Sequence, residues 1–148
     1  MYNNKKYFGS IELLDSVCNL TTVKDGRGGI FSWVPQDDIK EWSMLYFNAN
    51  KVRGNHYHPE FTEYFLIADG AVIVVTRDPE TGKEINMLMG KGMCFRTPPG
   101  VPHAVHAIQP SICMSFLTKP WDECKNPIIF EDLIPFDEGY NEYVSKQK

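Results

Sequence analysis

The stretch RGNHYHPEFTEYFLIADG, residues 53–70, contains two histidines two positions apart, with a glutamate five positions after the second. Successive side chains of a β-strand point to opposite faces, so His56 and His58 share one face and Tyr57 lies on the other. Glu63 begins the next apolar run. If that run faces the interior of a barrel, Glu63 projects towards the two histidines above an apolar floor.

Turn signals recur along the chain, and short runs rich in β-branched and aromatic residues lie between them. The runs are IFSWV, WSMLYFN, TEYFLIA, AVIVVTR, INMLM, MCFRT, HAVHAI and SICMSFL. Asp69-Gly70 between two of these runs is a strong hairpin signal, because both residues tolerate a positive φ. This spacing predicts an all-β sandwich or barrel. Helical patterns are weak and confined to 11–17 and 129–133, so we expect one domain over 1–148, with a β core at about 20–120 and non-β ends.

Composition excludes several classes of protein. The 148 residues carry a formal net charge of −4, which argues against a general nucleic-acid binder but leaves room for a small anionic ligand. The four cysteines form no C-x-x-C pair, and Cys94 and Cys113 lie in apolar runs, so they are predicted to be buried thiols. No stretch suits a signal peptide or a membrane span. We therefore expect a reduced, cytoplasmic protein that has no membrane partner.

A second segment, GMCFRTPPGVPHAVHA at 92–107, supplies a further histidine. The tight turn at Pro98-Pro99-Gly100 precedes His103, which would start a strand and point inward. His106 lies three positions later and therefore on the opposite face, so it is left out. Three histidines and one carboxylate suit a divalent transition metal ion and leave coordination positions open for water or substrate. The predicted ligands are His56, His58, Glu63 and His103, with zinc as the first choice and iron, manganese or nickel as alternatives.

Together the two segments resemble the paired motifs of the cupin superfamily. The first motif is His-x-His, four residues, Glu, six residues, Gly. The second is Gly, five residues, Pro-x-Gly, two residues, His. All four ligand positions match at the expected spacing, whereas Asn50 and Ala107 replace a usual Gly and a usual Asn. Asn is the next-best residue at positive φ. The resemblance implies a single jelly-roll (double-stranded β-helix) barrel.

A narrower resemblance extends over about residues 20–136 and includes DGRGGIFSWV, VRGNHYH and FLTKPWDECKNPIIFEDLIPF. These segments are similar to nucleotide-sugar epimerase and ketoisomerase cupins, closest to the C-terminal metal-binding cupin domain of capsule-polysaccharide nucleotide-sugar epimerase/reductase enzymes. The resemblance implies a metal-dependent epimerase or isomerase that enolises a nucleotide-linked 4-keto-6-deoxy sugar in surface-polysaccharide biosynthesis. It also implies a homodimer.

The catalytic base is left open between several residues. A cation at the keto oxygen would stabilise the enolate. The related metal-free enzymes use the first-motif histidine, here His56, as base. A metal-bound imidazole cannot accept a proton, so with metal present the base would be another group, such as Tyr46, Tyr57, Tyr64 or His106. Of these, Tyr57 and Tyr64 join His56 as predicted catalytic residues.

The nucleotide diphosphate of such a substrate needs cations at the barrel mouth. Lys51, Arg53 and Arg96 lie beside the two motifs and are the predicted substrate-binding residues. Arg53 is the strongest of the three, because a guanidinium pairs with phosphate through two parallel hydrogen bonds.

Two other functions fit the same ligand set. One is a different metal-cupin enzyme, either an Fe(II) dioxygenase or a sugar-phosphate isomerase. Iron with oxygen uptake would favour the dioxygenase, whereas zinc, which has no redox chemistry, would exclude it. The other is a non-catalytic cupin that binds a small molecule, which would be favoured if the three cations pointed away from the pocket.

Overall fold

The computed structural model describes residues 5–16 and 25–134. These residues form eleven strands and one short 3₁₀ helix, Trp121–Glu123. The strands are β1 (Lys6–Phe8), β2 (Ile11–Leu14), β3 (Glu41–Phe47), β4 (Val52–Tyr57), β5 (Glu63–Asp69), β6 (Ala71–Arg77), β7 (Glu84–Gly90), β8 (Cys94–Thr97), β9 (His103–Ala107), β10 (Ser111–Leu117) and β11 (Ile129–Phe130).

The strands form two antiparallel sheets. One has six strands in the order β1-β2-β8-β5-β10-β3, and the other has five in the order β11-β4-β9-β6-β7. The prediction of an all-β fold is confirmed. Strand β3 lies at one edge of the six-stranded sheet, and β4, which carries His56 and ends just before His58, is covered by β11.

The core lies between the sheets because alternate residues of each strand point inward. On β6, Val72 and Val74 are fully buried. On β5, Phe65 and Ile67 are buried, and the Phe65 ring stacks on Phe95 of β8 with 5.2 Å between the ring centroids. This apolar layer is the floor on which Glu63 was expected to stand, and Glu63 is itself buried.

Two backbone predictions are confirmed. Gly70 has a φ of 96° in the turn between β5 and β6, and a Cβ there would lie 2.2 Å from the Ser111 hydroxyl oxygen. Asn50, which replaces the usual glycine of the first motif, has a φ of 64°. Asn therefore adopts the left-handed conformation that this position requires.

The prediction of a strand at IFSWV, residues 30–34, is wrong. This segment has no strand pairing, and its side chains pack locally instead. Phe31 and Trp33 stack on each other at 5.9 Å, and the Trp33 indole N–H donates to the Leu14 carbonyl. The aromatic pattern therefore reflects packing of the two rings beside β2, and Pro35 has no N–H to extend a ladder.

The weak helical signals at the two ends are also wrong where the structure describes them. Within 11–17, Ile11–Leu14 is strand β2, which pairs with β1 and β8, and residue 17 lies outside the described residues. Within 129–133, Ile129–Phe130 is strand β11, which pairs with β4. Sheet pairing has outweighed local helical preference in both places.

The cysteine predictions agree with the structure. Cys94 and Cys113 are free and buried, and burial raises the pKa of each thiol to about 12. Across residues 5–16 and 25–134, no helix has the length and apolar character needed to cross a bilayer.

Candidate metal centre

Three histidines converge between the two sheets. The ring nitrogens that His56, His58 and His103 offer all lie within 4.8 Å of one another. His56 and His58 come from β4 and its end, and their ring centroids are 4.5 Å apart. His103 comes from the start of β9, and its centroid is 5.0 Å from that of His56. The three histidines are therefore close enough to hold a metal ion together.

Close contact between β4 and β9 brings these side chains together. His56 pairs with His103 and Gly54 pairs with Ala104, which leaves one extra residue on β4 between the pairs. Gly54 has a φ of 97°, and a Cβ there would lie 2.8 Å from the His103 carbonyl oxygen. Only glycine allows the two backbones to approach this closely.

Backbone carbonyls orient two of the imidazoles. The Nδ1 of His58 lies 2.8 Å from the Pro127 carbonyl oxygen, and the Nδ1 of His103 lies 3.0 Å from that of Val101. A carbonyl oxygen can only accept a hydrogen bond, so each Nδ1 carries the proton and donates it. Each neutral ring therefore presents a bare Nε2 to the cluster, an arrangement typical of metal-binding histidines.

Glu63 completes the cluster from β5. Its Oε1 lies 3.3 Å from the Nε2 of His103 and 3.8 Å from the Nε2 of His58. The Ser115 hydroxyl on β10 donates to its Oε2 at 2.7 Å. Burial by itself would raise the pKa of Glu63, but His103 and His58, which attract the carboxylate when they are protonated, and the Ser115 hydroxyl lower it to about 2. The carboxylate is therefore ionised although it is buried.

Burial favours the neutral form of His56 and His58. It is the main cause that lowers the pKa of His58, against the opposing effect of Glu63. His56 remains partly accessible to solvent, yet its surroundings lower its pKa further, mainly through desolvation and then through the neighbouring His103 and His58. Neutral imidazoles have a lone pair available for coordination, whereas protonated ones do not.

The cluster is chemically suited to a cation. Within residues 5–16 and 25–134, the buried Nε2 of His58 has no hydrogen-bond partner, and the bare Nε2 of His103 faces an ionised oxygen of Glu63. Lone pairs held this close need a positive charge between them, which is either a proton or a metal ion. Ligand atoms about 2.1 Å from a tetrahedral zinc are about 3.4 Å apart, and the 3.3 Å between His103 and Glu63 matches this spacing.

The cluster lies in a pocket of about 240 Å³ between the sheets. Arg53 also lines this pocket, is exposed, and places its guanidinium carbon 5.6 Å from the centre of the Phe47 ring. Trp121 closes another side, with its ring edge-on to His58 at 6.1 Å. Buried histidines and an exposed arginine therefore share one cavity.

Four further residues of this pocket have polar groups that the sequence did not single out, and one of them is Ser43 on β3. Ser115 holds Glu63, Glu41 adds a second carboxylate, and Trp121 contributes an indole. Glu41 accepts a hydrogen bond from the backbone N–H of Trp121 at 3.3 Å. Alternation along β3 and β10 was the signal that could have found Glu41 and Ser115, but only after the pairing of these strands was known.

The structure does not bring Tyr64 and Arg96 into this pocket. They pair across β5 and β8 on the outer face of the six-stranded sheet, and both bind the Asp37 carboxylate. The Tyr64 hydroxyl donates to Asp37 at 2.7 Å and the Arg96 guanidinium donates to it at 2.9 Å. The physical reason is strand alternation, which turns Tyr64 away from its neighbours Glu63 and Phe65.

Four other predicted residues also lie outside the pocket lining. Tyr57 and His106 occupy the outward positions of β4 and β9, and Tyr46 is 64% exposed on β3. Lys51 is exposed in the turn before β4. Of the predicted substrate cations, the structure therefore places only Arg53 beside the histidines.

A larger cavity of about 690 Å³ lies on the outer face of the six-stranded sheet. Its lining is mostly apolar and includes Trp33, Trp42 and Phe116. Trp42, Met44 and Tyr46 are all more than half exposed on edge strand β3. None of the three histidines lines this cavity, but Glu41 lines both it and the histidine pocket.

Comparison with known proteins agrees with this architecture. A cupin domain model matches residues 44–117, which is half of the chain. No curated protein sequence matches the chain. Among solved structures it is similar to dTDP-4-dehydrorhamnose 3,5-epimerase from Sulfolobus tokodaii, with 20% identity, 78% of this chain and 73% of that chain covered, and a TM-score of 0.66.

Two further solved structures are similar. One is a mutant of the 3,4-ketoisomerase QdtA from Thermoanaerobacterium thermosaccharolyticum in complex with TDP-4-keto-6-deoxyglucose, with 14% identity, 95% of each chain covered and a TM-score of 0.67. The other is the capsular polysaccharide assembling protein CapF from Staphylococcus aureus, with 19% identity and a TM-score of 0.59. The match covers 82% of this chain but only 33% of CapF.

Two antiparallel sheets enclose a cluster built from both halves of the paired histidine motif, and the family model matches the strands that carry it. This chain belongs to the cupin family, and its fold is the jelly-roll barrel.

Proposed function

We propose that this protein is a metal-dependent epimerase or isomerase that enolises a nucleotide-linked 4-keto-6-deoxy sugar. The observation that carries the proposal is the pocket itself, where three histidines and an ionised glutamate lie beside an exposed arginine. The similar ketoisomerase structure contains a TDP-linked 4-keto-6-deoxy sugar, which supports this substrate class.

His56, His58, Glu63 and His103 would hold one divalent ion, with zinc as the first choice and iron, manganese or nickel as alternatives. Such an ion supplies Lewis-acid stabilisation for the negative charge that develops on a keto oxygen during enolisation. The carbonyls of Pro127 and Val101 support this role, because they fix two of the rings with Nε2 towards the site.

The pocket size limits which part of the substrate enters. Its volume of about 240 Å³ lies below the roughly 300–1,000 Å³ of sites that enclose drug-sized ligands. It therefore suits a single sugar ring, and the nucleotide would remain outside. Arg53 is placed to bind the diphosphate that joins the two parts, since it lines the pocket and is exposed.

Proton transfer is assigned to Glu41. Apart from Glu63, it is the one carboxylate among the described residues that line the pocket, and it is not needed for coordination. His56 remains the base of the metal-free alternative, because a coordinated imidazole cannot accept a proton. Tyr57 and Tyr64 are not carried forward, because neither lines the pocket.

The proposal also includes the protein's setting. We place it in the cytoplasm, in the synthesis of a surface polysaccharide, and as a homodimer. The exposed apolar side chains on edge strand β3 support self-association, since such an edge is normally covered.

The test is solvent exchange. The protein is incubated with UDP- and dTDP-linked 4-keto-6-deoxy sugars in deuterated water, and the sugar is followed by NMR. We expect deuterium at a carbon next to the ketone, and we expect this exchange to stop when the metal is stripped or in His103→Gln. Glu41→Gln should slow exchange by about 10²- to 10⁴-fold, the usual contribution of a general base.

His106→Gln is the matched control, because His106 lies on the same strand as His103 but does not line the pocket. It should exchange at the wild-type rate. Exchange that survives metal removal would move the mechanism to His56 as base, and no exchange with any of these sugars would refute the proposed substrate class.

A further inference from the structure

Asn55 is a fully buried polar residue at a strained position next to the metal centre. It is 0% exposed and has a φ of 57°, which is uncommon for a residue with a side chain. It lies on β4 between Gly54, which pairs with Ala104, and His56, which pairs with His103. Asn55 is therefore the extra residue of a β-bulge.

The bulge changes which side chains of β4 face the pocket. Arg53 and His56 are three positions apart, and on a regular strand they would point to opposite faces. Both line the pocket, because the residue inserted at position 55 shifts the alternation by one. The side chain of Asn55 points away from the pocket instead.

On that outer side, Asn55 binds the segment 127–134, here called the C-terminal strap. Its Oδ1 accepts hydrogen bonds from the backbone N–H groups of Leu133 and Ile134, each at 2.9 Å. Its Nδ2 donates to the Ile134 carbonyl at 3.1 Å, and its own carbonyl accepts from the Glu131 N–H at 2.8 Å. Two N–H donors at one oxygen define the orientation of the amide.

The other end of the strap orients a metal-binding histidine. The Pro127 carbonyl accepts the Nδ1–H of His58, and β11 holds the strap on β4 between these two ends. His103 is held differently, by the carbonyl of Val101, which does not belong to the strap. A loosened strap should therefore affect His58 and leave His103 unchanged.

We propose that Asn55 is a positioning residue that fastens the C-terminal strap to the bulge in β4, and through the strap fixes which ring nitrogen of His58 faces the metal centre. Asn55 does not contact the substrate pocket. It acts through the Pro127 carbonyl on the His58 ring.

The test compares Asn→Gly substitutions at two positions. Asn55→Gly retains a residue that adopts positive φ but removes the side-chain bonds to the strap. Asn50→Gly is the matched control, because Asn50 also has a positive φ, of 64°, and lies just before β4. Histidine tautomers are read in the metal-free protein by two-bond ¹H–¹⁵N NMR above the ordinary histidine pKa, and Co²⁺ affinity is measured by competition with a chromophoric chelator.

In Asn55→Gly we expect a mixture of His58 tautomers, an unchanged His103 tautomer, and Co²⁺ binding about 10- to 100-fold weaker, as is usual when the partner of a metal ligand is lost. Asn50→Gly should match the wild type in all three. A wild-type His58 tautomer in Asn55→Gly overturns the proposal, and so does an equal change at both histidines, which would indicate general loosening.

Leu133→Pro provides a second variant if Asn55→Gly does not fold. It removes one N–H donor to Asn55 from the strap side and leaves β4 unchanged. Leu133→Pro must also give a mixture of the two His58 tautomers. If His58 remains entirely in the Nδ1–H tautomer in this variant, the proposal is overturned. Only the Co²⁺ measurement rests on the proposed function, so a wild-type protein that binds no metal would refute that function while the tautomer result still decides the role of Asn55.

Discussion

Replacement of Ser115 by alanine should destabilise the metal-free protein, because it removes the hydroxyl donor from one oxygen of the buried Glu63 carboxylate. The Ser115 hydroxyl donates to the Glu63 Oε2 at 2.7 Å, and the two residues are only 6% and 8% exposed. A hydrogen bond to a charged group contributes about 1.5 to 3 kcal/mol net. We therefore expect the free energy of unfolding to fall by about 2 kcal/mol.

This free energy converts to a temperature shift through the size of the chain. With an unfolding entropy of about 2.1 cal/mol/K per residue, the 148 residues give roughly 0.3 kcal/mol/K. A loss of about 2 kcal/mol then lowers Tm by about 6 °C. The assay is thermal unfolding of metal-stripped protein at neutral pH, followed by circular dichroism and by calorimetry.

Ser43→Ala is the control, because Ser43 lies directly opposite Ser115 on the neighbouring strand β3 and lines the same pocket, but its side chain is exposed and has no hydrogen bond to Glu63 among the described residues. It should change the free energy of unfolding by less than about 0.5 kcal/mol, as most surface substitutions do. Equal Tm values for the two variants and the wild type would refute the reasoning, since Glu63 would then not depend on Ser115. With metal added, Ser115→Ala should also bind Co²⁺ about 10-fold more weakly.

Three further substitutions test other parts of the structure. The Arg96 guanidinium, followed by a tyrosine hydroxyl, holds the pKa of Asp37 below its ordinary value of 3.8. Because the pKa of Asp37 is lower in the folded protein than in the unfolded chain, this stabilisation is present above pH 3.8 and is lost as the pH falls further. In urea unfolding, Asp37→Asn should therefore be less stable than the wild type at neutral pH. The difference in the free energy of unfolding should narrow in acid. Gly54→Ala should lower the free energy of unfolding by about 2 to 3 kcal/mol through backbone clash and strain. Gly100→Ala is its control, because a Cβ at that position would meet nothing within 4 Å. It should lower the free energy of unfolding clearly less in the same urea titration. Trp42→Asp should convert the proposed dimer to a monomer in sedimentation velocity, because Trp42 is 73% exposed on the apolar edge strand, and a dimer that persists would place the interface elsewhere.

Local patterns in the sequence were sufficient for much of the metal centre. The spacing of His56 and His58 identified two residues of one face, because alternation along a strand needs only adjacent residues. The turn before His103 and the apolar run after Glu63 located the other two predicted ligands. The structure brings the three histidines within 4.8 Å and places Glu63 beside two of them.

The substrate-binding residues and the catalytic base were harder to predict, because a side chain reaches the pocket only if its face of the strand is turned towards the barrel interior. Tyr64 and Arg96 are close in sequence to Glu63 and Phe95, yet alternation turns them to the outer face, where Asp37 binds both. Ser115 and Glu41 reach the pocket only through cross-strand pairing with distant segments. No local pattern indicates such pairing.

The sequence by itself determined the β fold, the turns and the spacing of the histidine and glutamate residues, since all of these depend on short-range backbone preferences. Only the tertiary structure decided that Arg53 joins the histidines, because the one residue inserted at Asn55 reverses the alternation of β4. It also decided that the carbonyl of Pro127, 69 positions away along the chain, sets the tautomer of His58. Both outcomes depend on which strand lies beside β4, and that is settled by packing of the whole barrel rather than by any local stretch of residues.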